Sequence, residues 1–416
     1  MEKSLKEIGI FFGHRTSKED VATHAACDSR KAQKGTLFFA LSGEKVDGHM
    51  FLKEVAAKGG VGAVVSEGYR GESYGMELFR TADVKKALQD YAKEVFKGRN
   101  QLVIGVTGTV GKTTTKEFLA TLLEEKFRVE KNLGSMNSQI GLPLTLLNSD
   151  GQGEIIVLEM GMSQKGELSR LVEIAPPHLG VLTKLTLVHS AFFKSLEEIA
   201  EAKCELFTSS KIERGFFHLE TAPFKAVQNL NILKTWFPMP KGVFPQPFKE
   251  SHLLENFLGA ASVAHYLGLS QEEIERGAKK LKLPEHRFQK VEKKGVLFID
   301  DSYNASPEAA KAAFSNLPKG KKQIAVFGGM KELGDFEEES HRALAEHALP
   351  LIDHLICIGK ECLPMVEVFK KGGKPVDFFT EKESAGIRLK EVMKEGDVVL
   401  LKGSNSSRLW TLLEEI

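Results

Sequence analysis

The chain has 416 residues, which is too long for one ordinary hydrophobic core and indicates two or three domains. Its formal net charge is only +1, so no charge excess points to nucleic acid or an acidic membrane surface as a partner. It shows no apolar run long enough to span a bilayer, no apolar signal-peptide core and only scattered cysteines, so we expect a cytoplasmic protein with reduced thiols and no membrane insertion.

Two short polar segments near the N-terminus have sequences typical of turns. They are Asp28-Ser29-Arg30 and the segment that holds Gly43, Asp47, Gly48 and His49. The guanidinium of Arg30 is a planar fork that suits phosphate oxygens. The alternative is a purely structural turn, because Asp and Ser side chains bond to nearby backbone groups.

The next feature is a glycine-containing turn between a predicted strand, "QLVIGV", and a predicted helix, "KTTTKEFLATLLEEKF". This layout is typical of a phosphate-binding loop, where backbone N–H groups and a helix N-terminus face the phosphates. The strict pattern G-x-x-x-x-G-K-[ST] fails at Val106, but a T-G-T-x-G-K-T-T variant fits. Its residues are Thr107, Gly108, Thr109, Val110, Gly111, Lys112, Thr113 and Thr114.

Two residues of this loop carry the chemistry that the pattern predicts. Lys112 would reach the terminal phosphates, and the Thr113 hydroxyl would bind Mg2+. The alternative is a glycine-rich strand–helix turn that binds no ligand.

Three residues further along are candidates whose plain interpretations stay open. Glu159 ends a predicted strand, where a carboxylate can hold Mg2+ on a nucleotide or simply face water. His189 follows the next strand, and a lone His is more often structural than a metal ligand. Lys203 lies in the acidic predicted helix "SLEEIAEAKCELF", where a solvated, salt-bridged lysine is the ordinary case.

From about Arg287 onward, strands and helices alternate in a way that predicts a small parallel-sheet fold. The segments are "GVLFID", "PEAAKAAFSNL", "KQIAVFG", "SHRALAEHAL", "HLICIG" and "DVVLL". Tyr303 and Asn304 would lie at the carboxyl end of the first strand. The alternative role for Asn304 is to cap the helix that follows it.

Together these segments resemble the Mur ligases, the ATP-dependent amide-forming enzymes of peptidoglycan synthesis, over nearly the whole chain. Beside the phosphate loop, the resemblance rests on "DSRKAQKGTLFFALSGEKVDGHMF", "HLLEN", "DDSYNASPEAAKAAF", "GGMKELGDFEEESH" and "LLKGSNSSR". The Y-N-A-x-P element is similar to that of the family member that adds D-alanyl-D-alanine. The D-N-P-R motif of the member that adds a diamino acid is absent.

The resemblance implies an α/β fold with three domains. Residues 1–100 would bind a UDP-sugar. Residues 101–285 would form the central P-loop domain with a parallel sheet, shortened around 207–251, that binds ATP and Mg2+. Residues 286–416 would form a Rossmann-like domain that closes on ATP and D-Ala-D-Ala.

The resemblance also implies roles for single residues. The residues that would bind ATP are the phosphate loop with Lys112, Asn256 at the adenine, Arg287 at a phosphate and Asn304 at nucleotide or dipeptide. The residues that would bind two Mg2+ ions are Thr113, Glu159, His189 and a carbamylated Lys203. Lys112, His189 and Lys203 would be catalytic. For the UDP-sugar they are Ser29, Arg30, Gly43, Asp47, Gly48 and His49.

The implied reaction joins D-Ala-D-Ala to UDP-MurNAc-tripeptide through an acyl phosphate. Nothing in the sequence demands more than a monomer, and the charge balance predicts no nucleic acid partner. Several positions depart from the pattern of the family that the chain resembles. Ser135 and Ser138 stand where the family has Asn, and Lys184 and Thr186 lie in its T-N-x-G segment. Gly329 stands in place of an Asp, and Asn405 in place of an Arg. Lys184 would either add positive charge near the phosphates or face solvent. The alternatives are a folylpolyglutamate synthase-like ligase, a degenerate paralogue that binds nucleotide or UDP-sugar without ligating, and a generic P-loop ATPase.

Overall fold

The computed structural model describes residues 1–43, 46–186, 193–238 and 242–416. Two compact units share the chain. The first holds Met1–Thr107, Lys126–Val181 and Glu205–Gly215, and the second holds Gly108–Glu125, Leu182–Cys204 and Phe216–Ile416. Over the described residues, no helix has the length and apolar character needed to cross a membrane.

The N-terminal part of the first unit is built on a four-stranded sheet in the order β3-β4-β5-β6, with every neighbouring pair parallel. The helix α3 shows why the local sequence folds as it does. Asp83 caps its start by accepting a hydrogen bond from the Lys86 N–H at 2.9 Å, and residues at helical spacing are buried on one face. The elements are β1 Lys3–Ser4, α1 Leu5–Phe11, β2 Val21–Ala22, β3 His24–Ala26, β4 Thr36–Phe39, α2 Leu52–Ala57, β5 Gly62–Ser66, β6 Glu77–Thr81 and α3 Val84–Lys97.

A six-stranded sheet follows, in the order β12-β11-β10-β7-β9-β8. β9 pairs in parallel with β7 and β8, and Val106 of β7 stands opposite Glu159 of β9. The elements are β7 Leu102–Thr107, α4 Lys112–Leu123, β8 Val129–Lys131, α5 Gly141–Asn148, β9 Ile155–Glu159, α6 Glu167–Ile174, β10 Leu179–Leu182, α7 Leu196–Cys204, β11 Arg214–His218, α8 Lys225–Gln228, β12 Leu233–Phe237, α9 Ser251–Tyr266 and α10 Gln271–Ala278.

The last sheet has the order β13-β14-β18-β15-β16-β17. Its inner strands carry continuous apolar runs that are buried on both faces: in β15, Ala325 and Phe327 join one core, whereas Ile324 and Val326 join the other. The elements are β13 Gln289–Lys293, β14 Val296–Asp300, α11 Pro307–Ser315, β15 Gln323–Gly328, α12 Glu337–Ala348, β16 His354–Ile358, α13 Leu363–Lys371, β17 Val376–Phe379, α14 Lys382–Val392, β18 Val398–Gly403 and α15 Leu412–Glu415.

The α/β class and the alternation of strands and helices in the C-terminal part are confirmed. The sheet differs from the expectation at one edge, where β13 pairs with β14 in antiparallel fashion, while the remaining pairs are parallel. β13 alternates intermediate and exposed residues, as an edge strand does, so it lacks the apolar run that marks the inner strands. The division at residues 100 and 285 into three domains stays a prediction.

Candidate nucleotide-binding site

The predicted phosphate loop joins the end of β7 to the start of α4. Two of its glycines have backbone angles that L side chains rarely adopt, with φ of 142° at Gly108 and 84° at Gly111. A Cβ at Gly108 would lie 1.9 Å from the Thr183 hydroxyl, and one at Gly111 would lie 2.3 Å from Oδ1 of Asn256. Gly111 stands at the N-cap of α4 and has no side chain to cap the first N–H groups, so these face whatever anion binds there.

Lys112 bends back over the loop. Its Nζ donates to the carbonyl oxygens of Gly108 and Thr109, both at 2.9 Å. Thr107, Thr113 and Thr114 are buried, and the Thr107 hydroxyl donates to the Met160 carbonyl at 2.8 Å. The loop therefore carries a positively charged group at the start of α4, the arrangement that phosphate recognition needs.

Two further predicted residues lie at this loop. Arg287 donates from Nη2 to the Thr113 hydroxyl at 3.4 Å, and its guanidinium stacks 4.2 Å from the ring centre of Tyr303. Asn256, on α9, accepts a hydrogen bond from the Thr115 hydroxyl at 3.3 Å. The structure thus brings Lys112, Arg287 and Asn256 to one place, and their contacts with ATP stay predictions.

Glu159 is held at the end of β9 by two asparagines that we had not singled out. Asn132 brackets its backbone, accepting from the Glu159 N–H at 2.9 Å and donating to its carbonyl at 3.0 Å, and Asn137 donates to Oε1 at 2.5 Å. The side chain is 1% exposed, so the alternative that it faces water is wrong. Asparagines in a glycine-containing segment between a strand and a helix were the only sequence signal for this role.

The second carboxylate oxygen of Glu159 decides what the site can hold. Among the described residues, its Oε2 is buried and has no hydrogen-bond partner. A buried, unsatisfied carboxylate oxygen is costly, and a hard divalent cation is the ligand that best satisfies it. Glu159 therefore fits the predicted Mg2+ site.

The other predicted metal ligands are less fully defined. Lys203 on α7 is 2% exposed, so the alternative of a solvated lysine is wrong. His189 lies outside the described residues. In the described ranges, no three His, Cys, Asp or Glu side chains group together closely enough to hold a metal.

The Asp28-Ser29-Arg30 segment has a well-defined structural role. Asp28 caps a short 3-10 turn through the Arg30 N–H at 3.0 Å and also accepts from Nη2 of Arg30 at 2.6 Å. The hydrogen bond from Arg30 lowers the pKa of Asp28 to about 2. The Ser29 hydroxyl donates to Glu54 at 3.0 Å. These contacts support the structural alternative, and a UDP-sugar contact through Ser29 or Arg30 stays a prediction.

The second N-terminal segment is organised around Asp47. Its carboxylate accepts from the His49 N–H at 3.1 Å and lies 2.6 Å from Nδ1 of the same residue. His49 is buried, and its other ring nitrogen accepts from the Ser66 N–H at 3.0 Å. A Cβ on Gly48 would meet the Leu41 carbonyl oxygen at 2.7 Å, whereas Gly43 is exposed. Substrate roles for Gly43, Asp47, Gly48 and His49 stay predictions.

Asn304 is exposed, in a loop after β14 whose Ser302 and Ala305 are buried. The helix α11 has Ser306 as its N-cap residue, so the alternative that Asn304 caps this helix is wrong. Lys402 holds the loop from β18. Its Nζ donates to the carbonyls of Asp301 at 3.1 Å and Asn304 at 2.8 Å, and it pairs with the Asp301 carboxylate at 2.7 Å.

Because Lys402 is 2% exposed, we expect Lys402→Met to destabilise the protein strongly. Burial lowers the pKa of Lys402, while the facing Asp301 opposes that shift, so the ammonium depends on its partners. Removing it would take the cation from Oδ2 of the Asp301 carboxylate and a donor from two carbonyls, at a cost of about 3–5 kcal/mol. Urea unfolding at pH 7 measures this change in the free energy of unfolding. The exposed Lys390→Met is the control, and a loss below about 1 kcal/mol would contradict the prediction.

The departure at Gly329 is explained by a neighbouring carboxylate. A Cβ at Gly329 would lie 2.2 Å from Cγ and 2.5 Å from Oε1 of Glu361, which forms an ion pair with Lys331. Where the family carries an Asp side chain, this chain therefore has the carboxyl group of Glu361. Asn405, the replacement for an arginine, donates to the Tyr303 carbonyl at 3.1 Å.

This geometry predicts a reciprocal substitution. Gly329→Asp alone should destabilise the protein by about 1–3 kcal/mol, because Glu361 must leave its place and its ion pair. The double variant Gly329→Asp/Glu361→Ala should recover most of that loss, as measured by thermal or urea unfolding. Equal losses in the single and double variants would show that Glu361 does not occupy the space in question.

Lys184 has two carboxylate partners that the sequence did not indicate. Its Nζ pairs with Glu220 at 2.8 Å and with Glu255 at 3.1 Å, and its side chain is 29% exposed. A contribution of its charge at the phosphates stays a prediction. The two ion pairs outweigh burial and raise its pKa. Thr186 donates its N–H to the Thr109 hydroxyl at 3.0 Å, and Ser138 accepts from the Gly141 N–H at 3.1 Å. The sequence carried no signal for Glu220 or Glu255.

The chain has a strand that leads into a glycine loop with positive φ angles, and the helix after the loop begins at a lysine. This arrangement defines a P-loop nucleotide-binding protein. Family models match three stretches: "Mur ligase family, catalytic domain" at residues 22–99, "Mur ligase middle domain" at 106–231 and "Mur ligase, glutamate ligase domain" at 286–405. The chain belongs to the Mur ligase family.

Individual relatives match from end to end. The UDP-N-acetylmuramoyl-tripeptide–D-alanyl-D-alanine ligase of Bacillus subtilis is 32% identical, over 96% of this chain and 94% of its own. A crystal structure of a MurF ligase from Thermotoga maritima in complex with ADP has a TM-score of 0.79 and 29% identity, covering 94% of this chain and 96% of that one. A MurF structure from Acinetobacter baumannii has a TM-score of 0.85 and 25% identity, covering 100% and 98%.

Proposed function

We propose that this protein is an ATP-dependent ligase that joins D-Ala-D-Ala to UDP-MurNAc-tripeptide in the synthesis of peptidoglycan precursors. The observation that carries the proposal is the assembled phosphate loop, with Lys112 at an uncapped helix start and Arg287 at Thr113. It occurs in a chain that aligns over nearly its full length with ligases of that name. A folylpolyglutamate synthase-like activity is less favoured, because the N-terminal and Tyr-Asn-Ala segments of the chain resemble those of the peptidoglycan enzyme.

The first step activates the peptide. The terminal carboxylate of the tripeptide attacks the γ-phosphorus of ATP, a new O–P bond forms, and ADP leaves. The products are an acyl phosphate and ADP. Such a transfer depends mainly on positioning and on neutralising negative charge. The ammonium of Lys112 and the uncapped N–H groups of α4 would supply both at the phosphates.

The second step makes the amide. The neutral amine of D-Ala-D-Ala attacks the acyl carbon, the amine loses a proton, and inorganic phosphate leaves. Direct amide formation from a carboxylate would require hydroxide to leave, which explains why ATP is consumed. We assign the acceptor to the C-terminal part around Asn304, as the family resemblance implies.

Oε2 of Glu159 fits a Mg2+ ion, because this carboxylate oxygen is buried and has no hydrogen-bond partner among the described residues. Thr113, His189 and a carbamylated Lys203 remain the other proposed ligands. When bound, Mg2+ would neutralise charge on the phosphates. Lys203 is buried, and carbamylation by CO2 would turn its amine into an anionic oxygen ligand of the kind that Mg2+ prefers.

The test is phosphate release by the purified protein with ATP, Mg2+, UDP-MurNAc-tripeptide and D-Ala-D-Ala, leaving out one component at a time. A ligase releases phosphate only when both peptides are present, with a matching product mass. Release without either peptide would indicate a generic ATPase. ATP binding without release under any condition would favour the degenerate paralogue and overturn the proposal.

A further inference from the structure

Residues 183–186, which follow β10, hold the phosphate loop through backbone and side-chain hydrogen bonds. The Thr183 hydroxyl donates to the Val110 carbonyl at 2.7 Å, and the Lys184 carbonyl accepts from the Thr109 N–H at 2.9 Å. The Thr186 N–H donates to the Thr109 hydroxyl at 3.0 Å. A shift of the Lys184 backbone would therefore move the phosphate loop directly.

The same loop is contacted by α9. Oδ1 of Asn256 accepts from the Thr115 hydroxyl at 3.3 Å and fills the space where a Cβ on Gly111 would be. The residue before it, Glu255, forms an ion pair with Lys184 at 3.1 Å. The ion pair of Lys184 with Glu255 thus joins the segment after β10 to α9, the two parts of the chain that contact the loop. The loop, Lys184, Glu255 and Asn256 form a closed ring of contacts.

Glu255 is fixed better than a surface carboxylate would be. Its side chain is 27% exposed, and Nε2 of the buried His218 lies 3.5 Å from Oε2. His218 accepts the Glu220 N–H at Nδ1, at 3.2 Å, and its Nε2 faces Glu255 without a hydrogen-bond partner among the described residues. Glu220, the other partner of Lys184, is 64% exposed.

We propose that Lys184 is a positioning residue, which fixes the phosphate loop and the amide of Asn256 for the nucleotide through its ion pair with Glu255. This proposal rests on one part of the proposed function, namely that the phosphate loop binds a nucleotide. Lys184 acts through Glu255 and the loop backbone and does not itself contact phosphate. An ion pair that orders two elements before binding removes an ordering cost at the moment of binding.

The two carboxylates that share Lys184 provide a matched pair of variants. We expect Glu255→Gln and Lys184→Met each to raise the Kd for ATP about tenfold, because either one opens the ring. The double variant Lys184→Met/Glu255→Gln should bind ATP no more weakly than the weaker-binding single variant, because both substitutions remove the same ion pair. Glu220→Gln should change the Kd less than about twofold, since an exposed ion pair is worth little.

ATP binding is measured by calorimetry on the full chain, and the steady-state parameters of ligation are measured alongside. We expect the KM for ATP to rise while the KM values for both peptides stay within about twofold, and Lys184→Arg to restore ATP binding to within about threefold. A purely electrostatic role for Lys184 would make Glu220→Gln and Glu255→Gln equal, and that result would overturn the proposal.

Unchanged ATP affinity in Glu255→Gln would also overturn it. If Lys184→Met does not fold, the comparison of the two glutamine variants still decides. Wild-type protein that binds no ATP would overturn both this inference and the proposed function. Wild-type protein that binds ATP, with variants that bind equally well, would overturn the inference alone.

Discussion

Replacing Lys112 with methionine should lower kcat for ligation by about 10³-fold. The side chain crosses the loop to the carbonyls of Gly108 and Thr109, so its loss removes both a loop contact and the cation that we propose at the terminal phosphates. Methionine keeps most of the length of the side chain and removes its charge and its donors. Phosphate release with all substrates saturating measures the effect, and ADP affinity should fall much less than kcat.

The control is Lys97→Met, because Lys97 ends α3 in an exposed position. It should leave kcat and stability unchanged. A Lys112→Met variant that retained more than a tenth of the wild-type kcat would remove the phosphate loop from the proposed mechanism. It would return the segment to the alternative of a ligand-free glycine turn.

Glu159→Gln should lower kcat by about 10²-fold and raise the Mg2+ concentration needed for half-maximal activity. Glutamine preserves shape and can still meet Asn137, but it removes the negative charge beside the unsatisfied Oε2. Without Mg2+, the variant should be as stable as the wild type or more stable, because an uncompensated buried charge has been removed.

Thermal unfolding with and without Mg2+ and ADP gives a readout independent of activity. The wild type should gain stability from Mg2+ in the presence of ADP, and Glu159→Gln should gain much less. The exposed Glu94→Gln, on α3, is the control. Equal stabilisation by Mg2+ in all three proteins would show that Glu159 does not hold the ion.

The phosphate loop could be predicted because its chemistry depends on neighbours in the chain. A strand, two glycines and a lysine at a helix start fall within a dozen residues, and local backbone geometry places them. Glu159 was predicted for a similar reason, since the carboxyl end of a strand in an open α/β sheet is where ligands bind. Its burial and its two asparagine partners could not be predicted, because Asn132 and Asn137 come within hydrogen-bond distance of Glu159 only when the chain folds.

The contacts of Lys184 show the limit most clearly. From the sequence, a lysine near phosphates was expected either to add charge or to face water. Its actual partners, Glu220 and Glu255, lie 36 and 71 positions further along the chain, and only packing of the folded chain brings them to its ammonium. The same holds for Glu361, which takes the space of an absent aspartate at Gly329.

The sequence by itself determined the α/β class, the phosphate loop and the family, because periodicity, turn chemistry and short motifs are properties of adjacent residues. Only the tertiary structure decided which carboxylate is buried and unsatisfied, which lysine joins the loop to α9, and which glutamate replaces a missing side chain. Those are contacts between residues far apart in the chain, and burial and ion pairing exist only once the chain has folded.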